Sequence, residues 1–224
     1  MNAIVGLYDK IYSHYRLVNF ILTLGLDNWW RRKTVDYIKK ISHSTICDIC
    51  CGSGDFTKIL ITKFKKAETT GVDANSNMLE IAKKRIKNAN FINSYISEIP
   101  LTNDSFDIVT VSFATRNIFF SDDFLKSITE IKRILKEDGV FISLETTLPD
   151  NPISSFLVRI YLNISIGLIN LILPESSKSY SFLRSSIKAF KVSDFADKIK
   201  PYFKSIEIKV LFPGVVALCI ARKN

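Results

Sequence analysis

The feature that most constrains this chain is a regular alternation of apolar, strand-like runs with helix-like runs between residues 45 and 146. Strands that alternate with helices form a parallel sheet whose crossover helices pack on its faces. Two further strand-like runs, joined through "PG", predict an antiparallel hairpin at one edge. The sequence therefore predicts an α/β fold with a seven-stranded, mostly parallel sheet, an antiparallel C-terminal hairpin and helices on both faces. The runs, some with their following loop, are "TICDICCGSG", "AETTGVDAN", "NFINSYISEIP", "SFDIVTVSFAT", "KEDGVFISLET", "SIEIKVLF" and "VVALCIARK".

No internal repeat and no low-complexity linker divides the 224 residues, so one domain over 1–224 is the economical prediction. It has four parts. A helical N-terminal part covers 1–40, and the core with the glycine-rich turn covers 41–148. A second helical part covers 149–190, and a C-terminal helix with two strands covers 191–224.

The chain is basic, with a formal net charge of +9, and its 47% hydrophobic content is typical of a folded protein. Lysines on solvated faces explain the charge most simply, and an anionic membrane surface is the second explanation. Nucleic acid is disfavoured because the lysines are spread along helices instead of being interleaved with aromatic residues. Four cysteines, and no apolar run after a basic start, predict an intracellular protein with free thiols.

The stretch "ICDICCGSGDF" at 46–56 has three interpretations: a metal site, a redox pair or a backbone turn that holds a nucleotide. Cys47 and Cys50 form a C-x-x-C, but side chains three apart on a strand point to opposite faces. There is no second cysteine pair, and the only histidines are His14 and His43. A redox pair would place its cysteine at a helix start. We therefore predict no metal site and favour buried, apolar cysteines.

The turn interpretation is stronger. Gly52 and Gly54 allow tight turning and close approach of a ligand, and Asp48 just before them can accept a hydrogen bond from an ammonium group. Asp73 ends the second strand about twenty residues later, where a carboxylate accepts both ribose hydroxyls of a nucleoside. The pattern lacks G-x-G-x-x-G and the P-loop lysine, so the ligand need not carry phosphate. A plain turn with a surface Asp73 is the alternative.

Residues 153–173 are apolar over a length that would suffice to span a bilayer. Arg159, Asn163 and Asn170 interrupt the run, and a charge near the centre of a spanning helix is costly. The helical spacing of the apolar residues predicts a helix with one broad face buried over the core or at an apolar pocket. These residues are Ile153, Phe156, Leu157, Ile160, Tyr161, Ile164, Leu168 and Leu171.

The glycine turn followed by "GVDANSNMLEIAKKR" resembles Rossmann-like class I methyltransferases that use S-adenosylmethionine. A narrower resemblance, to the UbiE/MenG family of quinone-ring C-methyltransferases, covers nearly the whole chain in order. Its segments are "LYDKIYSHYRLVNFILTLGLDNWWRR", "LTNDSFDIVTVSFATRNI", "EIKRILKEDGVFISLET", "SYSFLRSSI" and "GVVALCIARK". The "RN" pair and the N-terminal motif are specific, because generic methyltransferases lack them.

The resemblance implies a set of cofactor contacts. Gly52, Ser53 and Gly54 would line the methionine end of S-adenosylmethionine, with Asp48 near its ammonium group and Asp73 on the ribose. The remaining implied contacts are Met78 near the adenine, Tyr95 and Ile96 after the third strand, and Ser112 on the fourth strand. Tyr95 and Ile96 replace the acidic or amide residue and the small residue of the family, which puts the adenine contact in doubt.

The implied reaction is methyl transfer to a ring carbon of a reduced, polyprenylated quinol. Arg116 would stabilise the phenolate that makes the ring carbon nucleophilic, or would orient a water that takes the proton. Its own pKa is too high for a simple base. Asn117 would hold an oxygen or the loop. A capping turn with a surface salt bridge is the alternative for both residues.

The N-terminal residues Tyr8, Asp9, Tyr15 and Asn19 match the family motif, which implies that 1–40 forms a lid excluding water. Aromatic core packing is equally consistent with the sequence. For the run Trp29, Trp30, Arg31 and Arg32 we weigh contact with the membrane interface against one packed Trp with solvated arginines. The helical part 149–190 would form the groove for the polyprenyl tail.

The sequence leaves several alternatives open. The rivals are a methyltransferase for another small phenol or a polyketide, a basic nucleic-acid-binding module or RNA methyltransferase, and a noncatalytic cofactor-binding homologue. The motifs do not separate menaquinone from ubiquinone precursors. We expect a cytoplasmic protein in peripheral contact with the inner face of the membrane and no nucleic-acid partner, while a homo-oligomer stays open.

Overall fold

A single sheet organises the protein. The computed structural model describes residues 15–172 and 185–223, and within them seven strands are arranged in the order β3-β2-β1-β4-β5-β7-β6. The pairs among β1 to β5 are parallel, while β7 is antiparallel to both β5 and β6. The predicted fold class is confirmed, including the antiparallel C-terminal pair.

The elements have the following bounds. The strands are β1 (Thr45–Ile49), β2 (Glu68–Asp73), β3 (Asn90–Asn93), β4 (Phe106–Ser112), β5 (Leu135–Thr146), β6 (Ser205–Leu211) and β7 (Val216–Arg222). The helices are α1 (Tyr15–Thr23), α2 (Asp27–Ile38), α3 (Asp55–Lys63), α4 (Ser76–Arg85), α5 (Thr115–Phe119), α6 (Phe124–Ile134), α7 (Pro152–Ile172) and α8 (Val192–Ile199). Short 3₁₀ turns cover Ile96–Glu98 and Lys200–Tyr202, and a helical turn covers 185–189.

Two apolar cores cover the two faces of the sheet, because successive strand side chains point to opposite sides. Cys47 and Ile49 of β1 enter the core that α6 and α8 cover. Ile46 of β1 enters the other core, which α2 and α3 cover. Cys47 is thus buried among apolar side chains with a free thiol, as the preferred interpretation of the cysteines predicts. For Cys50 the prediction is wrong, because β1 ends at Ile49 and Cys50 is a half-buried residue of the turn with φ of 52°.

The chain after β4 differs from the prediction. The sequence predicts a strand through Thr115, but β4 ends at Ser112 and Phe113 adopts a left-handed backbone with φ of 58°. This reversal, which is unfavourable for a bulky residue, starts the five-residue helix α5. It turns Asn117 toward the carboxyl ends of β1 and β4 and Arg116 toward Glu145 near the end of β5, an outcome that strand propensity alone could not indicate.

The burial of α7 also differs from the prediction. Its buried side chains include Leu162, Ile166 and Ile169, of which Ile166 and Ile169 pack with Val18 of α1. Seven of the eight residues predicted to face the core are exposed instead. The exception is Tyr161, which is half-buried. By length and composition α7 could cross a membrane, but part of its surface is committed to α1.

The run after Gly25 is divided between core and solvent. Trp30 and Arg31 are buried, with 2% and 3% exposure, whereas Trp29 is 38% exposed and Arg32 is exposed. The membrane interpretation is therefore wrong for Trp30 and Arg31, because these side chains pack on the sheet. One Trp packs, as the alternative predicts, but only one of the two arginines is solvated.

Candidate active site

A first cavity, here called the nucleoside cavity, lies at the carboxyl ends of β1, β2 and β4. This is the edge at which open α/β sheets bind their ligands. Six of the nine predicted cofactor residues line it, together with Asn117. These six are Gly52, Asp73, Met78, Tyr95, Ile96 and Ser112. The side chains of Met78 and Ile96 are buried in its wall.

The glycine turn is fixed to β2 by its backbone. Gly52 has φ of 54°, and its N–H donates to Oδ2 of Asp73 at 2.7 Å. A Cβ on Gly52 would lie 3.3 Å from Cε of Met78, at the cavity wall. Gly54 has φ of 78°, and a Cβ there would lie 2.7 Å from Cδ1 of Ile86. The two glycines therefore permit both the left-handed backbone and the close approach of α4.

Ser53 and Gly54 lie behind the cavity and do not line it. The hydroxyl of Ser53 donates to Oδ2 of Asp55 at 3.0 Å. The carbonyl oxygen of Ser53 accepts from Nη1 of Arg85 at 2.9 Å. These bonds tie the turn to α3 and α4, and the predicted contacts of Ser53 and Gly54 with the cofactor stay predictions.

Asp73 presents an oriented carboxylate. Its Oδ1 accepts from the N–H of Asn75 at 2.8 Å, and its Oδ2 accepts from Gly52. Burial raises the pKa of Asp73, while the backbone N–H groups that donate to it oppose this shift. Each oxygen keeps lone pairs after one hydrogen bond, so the carboxylate can accept two further donors from a ligand.

Asp48 lies beneath the turn, away from the lining of the nucleoside cavity. Its side chain accepts from the hydroxyls of Thr57 at 2.6 Å and Thr110 at 3.0 Å. Burial raises the pKa of Asp48 to about 6, against these two hydrogen bonds and the positive charge of Arg31. The structure assigns this carboxylate contacts within the fold, and its contact with an ammonium group stays a prediction.

A second cavity, here called the apolar cavity, lies between α1, α2, α7 and the ends of β5 and β7. Arg116 is the only charged residue of the described chain that lines it. Phe113 lines both cavities, so the two share one wall. The other lining residues are Val18, Asn19, Leu22, Thr23, Trp30, Thr146, Thr147, Val158, Tyr161, Leu162, Ile187 and Val215.

Arg116 is held by a buried ion pair that the sequence interpretation missed. Its Nη1 donates to Oε1 of Glu145 at 2.5 Å, and its backbone N–H donates to Oε2 at 3.2 Å. The Glu145 side chain is fully buried and also accepts from the N–H and hydroxyl of Thr146, each at 2.9 Å. A charge-assisted, multiply bonded pair of this kind fixes the guanidinium. The only sequence signal of this pair is the acid that stands before the final Thr of "FISLET".

Phe113, the shared wall, is held in turn from α2. The guanidinium of Arg31 lies 5.0 Å from the ring centroid, and its Nε donates to the hydroxyl of Ser112 at 3.4 Å. Arg31 also forms a buried ion pair with Asp27, one helical turn earlier. The i, i+4 spacing of these two residues in "GLDNWWRR" is a signal that the sequence interpretation did not use.

Asn19, predicted for the lid, lines the apolar cavity, and its Nδ2 donates to Oδ2 of Asp27 at 2.9 Å. Asn19 is therefore bonded to the Asp27–Arg31 ion pair, whose guanidinium lies over Phe113. Tyr8, Asp9 and the side chain of Tyr15 lie outside the described residues, so the lid stays a prediction. Within the described ranges, no group of three or more His, Cys, Asp and Glu side chains could hold a metal ion.

A glycine turn after β1 and an oriented carboxylate at the end of β2 define a Rossmann-like protein that binds a nucleoside at this edge of the sheet. The sequence pattern of the ubiE/COQ5 methyltransferase family matches residues 2–223. The chain belongs to the ubiE/COQ5 methyltransferase family, which confirms the resemblance that the motifs indicate, and S-adenosylmethionine is its cofactor.

Curated relatives agree with this assignment, and a solved structure shares the fold. The chain is 31% identical to a demethylmenaquinone methyltransferase of Thermotoga maritima, over 96% of this chain and 93% of that protein. It is 29% identical to one of Lactococcus lactis, over 97% of this chain and 88% of that protein. A Thermotoga maritima methyltransferase, described as a possible histamine N-methyltransferase, shares the fold with a TM-score of 0.69. It is 18% identical, with 99% and 100% of the two chains covered.

The described residues fit S-adenosylmethionine. Asp73 has acceptor capacity for both ribose hydroxyls, and Gly52 places no side chain between the turn and the cavity. Tyr95 and Ile96 line the cavity where the adenine contacts were predicted. When bound, this cofactor supplies a methyl group on a positively charged sulfur.

Proposed function

We propose that the protein methylates a ring carbon of a reduced, polyprenylated quinol, with a demethylmenaquinol as the first substrate to test and the ubiquinone precursor as the second. The proposal rests on the family and on the substrate named for its relatives. An alternative acceptor is another small phenol, which would also suit a cavity of this kind.

One observation carries the proposal: the two cavities meet at Phe113, and the consecutive residues Arg116 and Asn117 face different cavities. Asn117 lines the nucleoside cavity, while Arg116 lines the apolar one. A methyl donor in the first cavity and an aromatic ring in the second would be separated only by this short segment. Fixed juxtaposition of two reactants is a large part of catalysis.

Arg116 has the properties that a phenolate requires. Ring carbons become nucleophilic when a neighbouring hydroxyl loses its proton, and a cation at that oxygen favours the anion. Glu145 holds the guanidinium in place without entering the apolar cavity's lining. Since the pKa of arginine is too high for a base, the hydroxyl proton passes to a water that Arg116 orients, and the proton that the methylated ring carbon then loses restores the hydroxyl.

The remainder of the apolar cavity suits the ring and the first part of a prenyl tail. Its walls come from Val18 and Leu22 of α1, Val158 and Leu162 of α7, and Trp30. Apolar walls with few polar groups are typical of sites for hydrophobic small molecules. A tail of this kind resides in a bilayer, so a cytoplasmic enzyme would act on it at the inner face of the membrane.

The test is turnover with defined acceptors. Purified protein would be incubated with S-adenosylmethionine and a reduced, short-tailed demethylmenaquinol, a short-tailed ubiquinone precursor, or a simple phenol. Mass spectrometry would detect one added methyl group. We expect methylation of a quinol and not of the simple phenol. Methylation of the phenol alone would support the alternative, and no methylation with measurable cofactor binding would indicate a noncatalytic homologue.

A further inference from the structure

The exposed side of α7 is apolar along its whole length. Its apolar side chains are 39% to 80% exposed, which is unusual for a contiguous set in a soluble domain. On a helical projection they form one stripe. The stripe, here called the α7 face, consists of Ile153, Phe156, Leu157, Ile160, Ile164, Leu168, Leu171 and Ile172.

The α7 face cannot rotate inward, because the other sides of the helix are occupied. Ile166 and Ile169 pack against Val18 of α1, and the hydroxyl of Tyr161 donates to the carbonyl of Ile21. A narrow polar strip includes Asn163, which accepts from Nζ of Lys188 at 2.6 Å. The helix is therefore fixed with its apolar stripe toward the outside.

The neighbouring helix extends the apolar surface. Leu17 and Phe20 of α1, and Leu24 just after it, are 44%, 61% and 68% exposed. Since α1 and α7 together form much of the wall of the apolar cavity, the exposed apolar residues belong to the two helices that enclose the proposed acceptor.

The charges around this surface indicate its partner. Phe20 borders a polar cleft that is also lined by Arg32, Lys58 and Lys63, all exposed. Its two carboxylates, Asp27 and Asp55, are each paired with an arginine, so the cleft has an excess of positive charge. Arg159 is exposed on α7 itself, and the whole chain has a net charge of +9. Lysines and arginines near an anionic lipid surface are attracted to its headgroups. A second copy of this chain would instead bring like charges together.

We infer that the α7 face seats the protein on an anionic lipid bilayer, with α7 lying in the plane of the membrane. Its apolar side chains would enter the boundary between headgroups and acyl chains, and the cations would contact the headgroups. The inference deepens the proposed function, on which it rests, because Val158, Tyr161 and Leu162 of the same helix line the apolar cavity. A prenyl tail could then reach the cavity without crossing water.

The test is sedimentation of the full chain with vesicles. One set contains phosphatidylcholine alone, and the other contains equal parts of phosphatidylcholine and phosphatidylglycerol. The variant Ile164→Glu places a charge on the α7 face. The matched control Asn163→Glu adds the same charge one residue away, on the polar strip. Thermal unfolding of both variants verifies that they fold.

We expect the wild type and Asn163→Glu to sediment with the anionic vesicles, less so as salt rises. Ile164→Glu should bind at least about tenfold more weakly. Equal binding of Ile164→Glu, equal binding to both vesicle sets, or no binding of the wild type would overturn the inference. So would a wild-type dimer in solution that Ile164→Glu dissociates, because a second copy would then cover the face.

Turnover separates this inference from the proposed function. With a soluble, short-tailed quinol, both variants should match the wild type. With a long-tailed quinol embedded in anionic vesicles, only Ile164→Glu should lose rate. If no quinol is methylated, the proposed function fails. Vesicle binding, which needs no turnover, separately tests whether the α7 face binds the bilayer.

Discussion

In the nucleoside cavity the backbone holds the key groups, whereas in the apolar cavity side chains from distant elements hold them. Gly52 and Asn75 use their N–H groups to orient Asp73. Arg116, by contrast, depends on the carboxylate of Glu145, 29 residues later. The first arrangement can be shared by many acceptor specificities, while the second depends on a few particular side chains.

The two cavities also differ in charge. The nucleoside cavity presents the carboxylate of Asp73, which suits hydroxyl donors and a positively charged ligand. The apolar cavity presents the guanidinium of Arg116, which suits an oxygen that becomes negative. Opposite charges on the two sides of Phe113 would favour a methyl cation equivalent on one side and a phenolate on the other.

The largest effect should come from removing the cation of the apolar cavity. Arg116→Ala should lower kcat by about 10²- to 10³-fold and leave the Kd for S-adenosylmethionine within about twofold, since Arg116 does not line the nucleoside cavity. Steady-state kinetics and calorimetry measure the two quantities.

Because Arg116→Ala leaves Glu145 buried without its partner, it can also destabilise the fold by roughly 3–5 kcal/mol. The double variant Arg116→Met/Glu145→Gln removes both charges and should fold, yet stay inactive. Activity in this variant would contradict the assigned role of Arg116. It would also show that the opposite charges of the two cavities are not needed for catalysis.

The corresponding change in the nucleoside cavity is Asp73→Asn. An amide cannot accept from both Gly52 and Asn75 as a carboxylate does, so the Kd for the cofactor should rise roughly 10- to 100-fold. Calorimetry measures the change, with Asn93→Ala as a control at an exposed neighbour that donates to the carbonyl of Asp73. Unchanged affinity would show that the nucleoside is not held at this carboxylate.

Asp48 should give stability a pH dependence. Burial raises its pKa from an ordinary value of 3.8 to about 6, so its charged form is disfavoured in the folded state. The contribution of Asp48 to the free energy of unfolding should therefore be highest below pH 3.8, and it should fall as the pH rises through about 6. Asp48→Asn should abolish this change, of up to about 3 kcal/mol. Urea unfolding of both proteins at several pH values measures it, and parallel curves would contradict the burial argument.

The smallest effects are expected from two glycine substitutions, one in the turn at the nucleoside cavity and one on α7 beside the apolar cavity. Gly52→Ala forces a side chain into a left-handed backbone beside Met78 and should cost about 1–2 kcal/mol of folding free energy. Gly167→Ala, on α7, adds a Cβ that would meet no atom within 4 Å, and it should stabilise the fold by roughly 0.5–1 kcal/mol. Chemical denaturation distinguishes them. Equal effects would mean that the turn tolerates side chains.

The difference between local backbone contacts in the nucleoside cavity and distant side-chain contacts in the apolar cavity explains which features could be predicted from the sequence. The order of the strands, the glycine turn and Asp73 follow from local patterns, because their partners lie nearby in the chain or at a fixed edge of the sheet. Glu145 could not be assigned in this way, since its role depends on a contact between distant segments. For Arg31 only the pair with Asp27 has a local signal, whereas its contact with Phe113 joins distant segments. For α7, periodicity identified the helix but not its orientation, because apolar residues cover most of its circumference.

The position of Trp30 beside the apolar cavity has a practical consequence. Its indole N–H donates to the carbonyl of Phe212 at 2.8 Å, its ring lies edge-on to Phe113, and it lines the apolar cavity. The other tryptophan, Trp29, is partly open to solvent. After iodide has quenched the emission of Trp29, the residual fluorescence of Trp30 would report acceptor binding as an optical signal, without label or turnover.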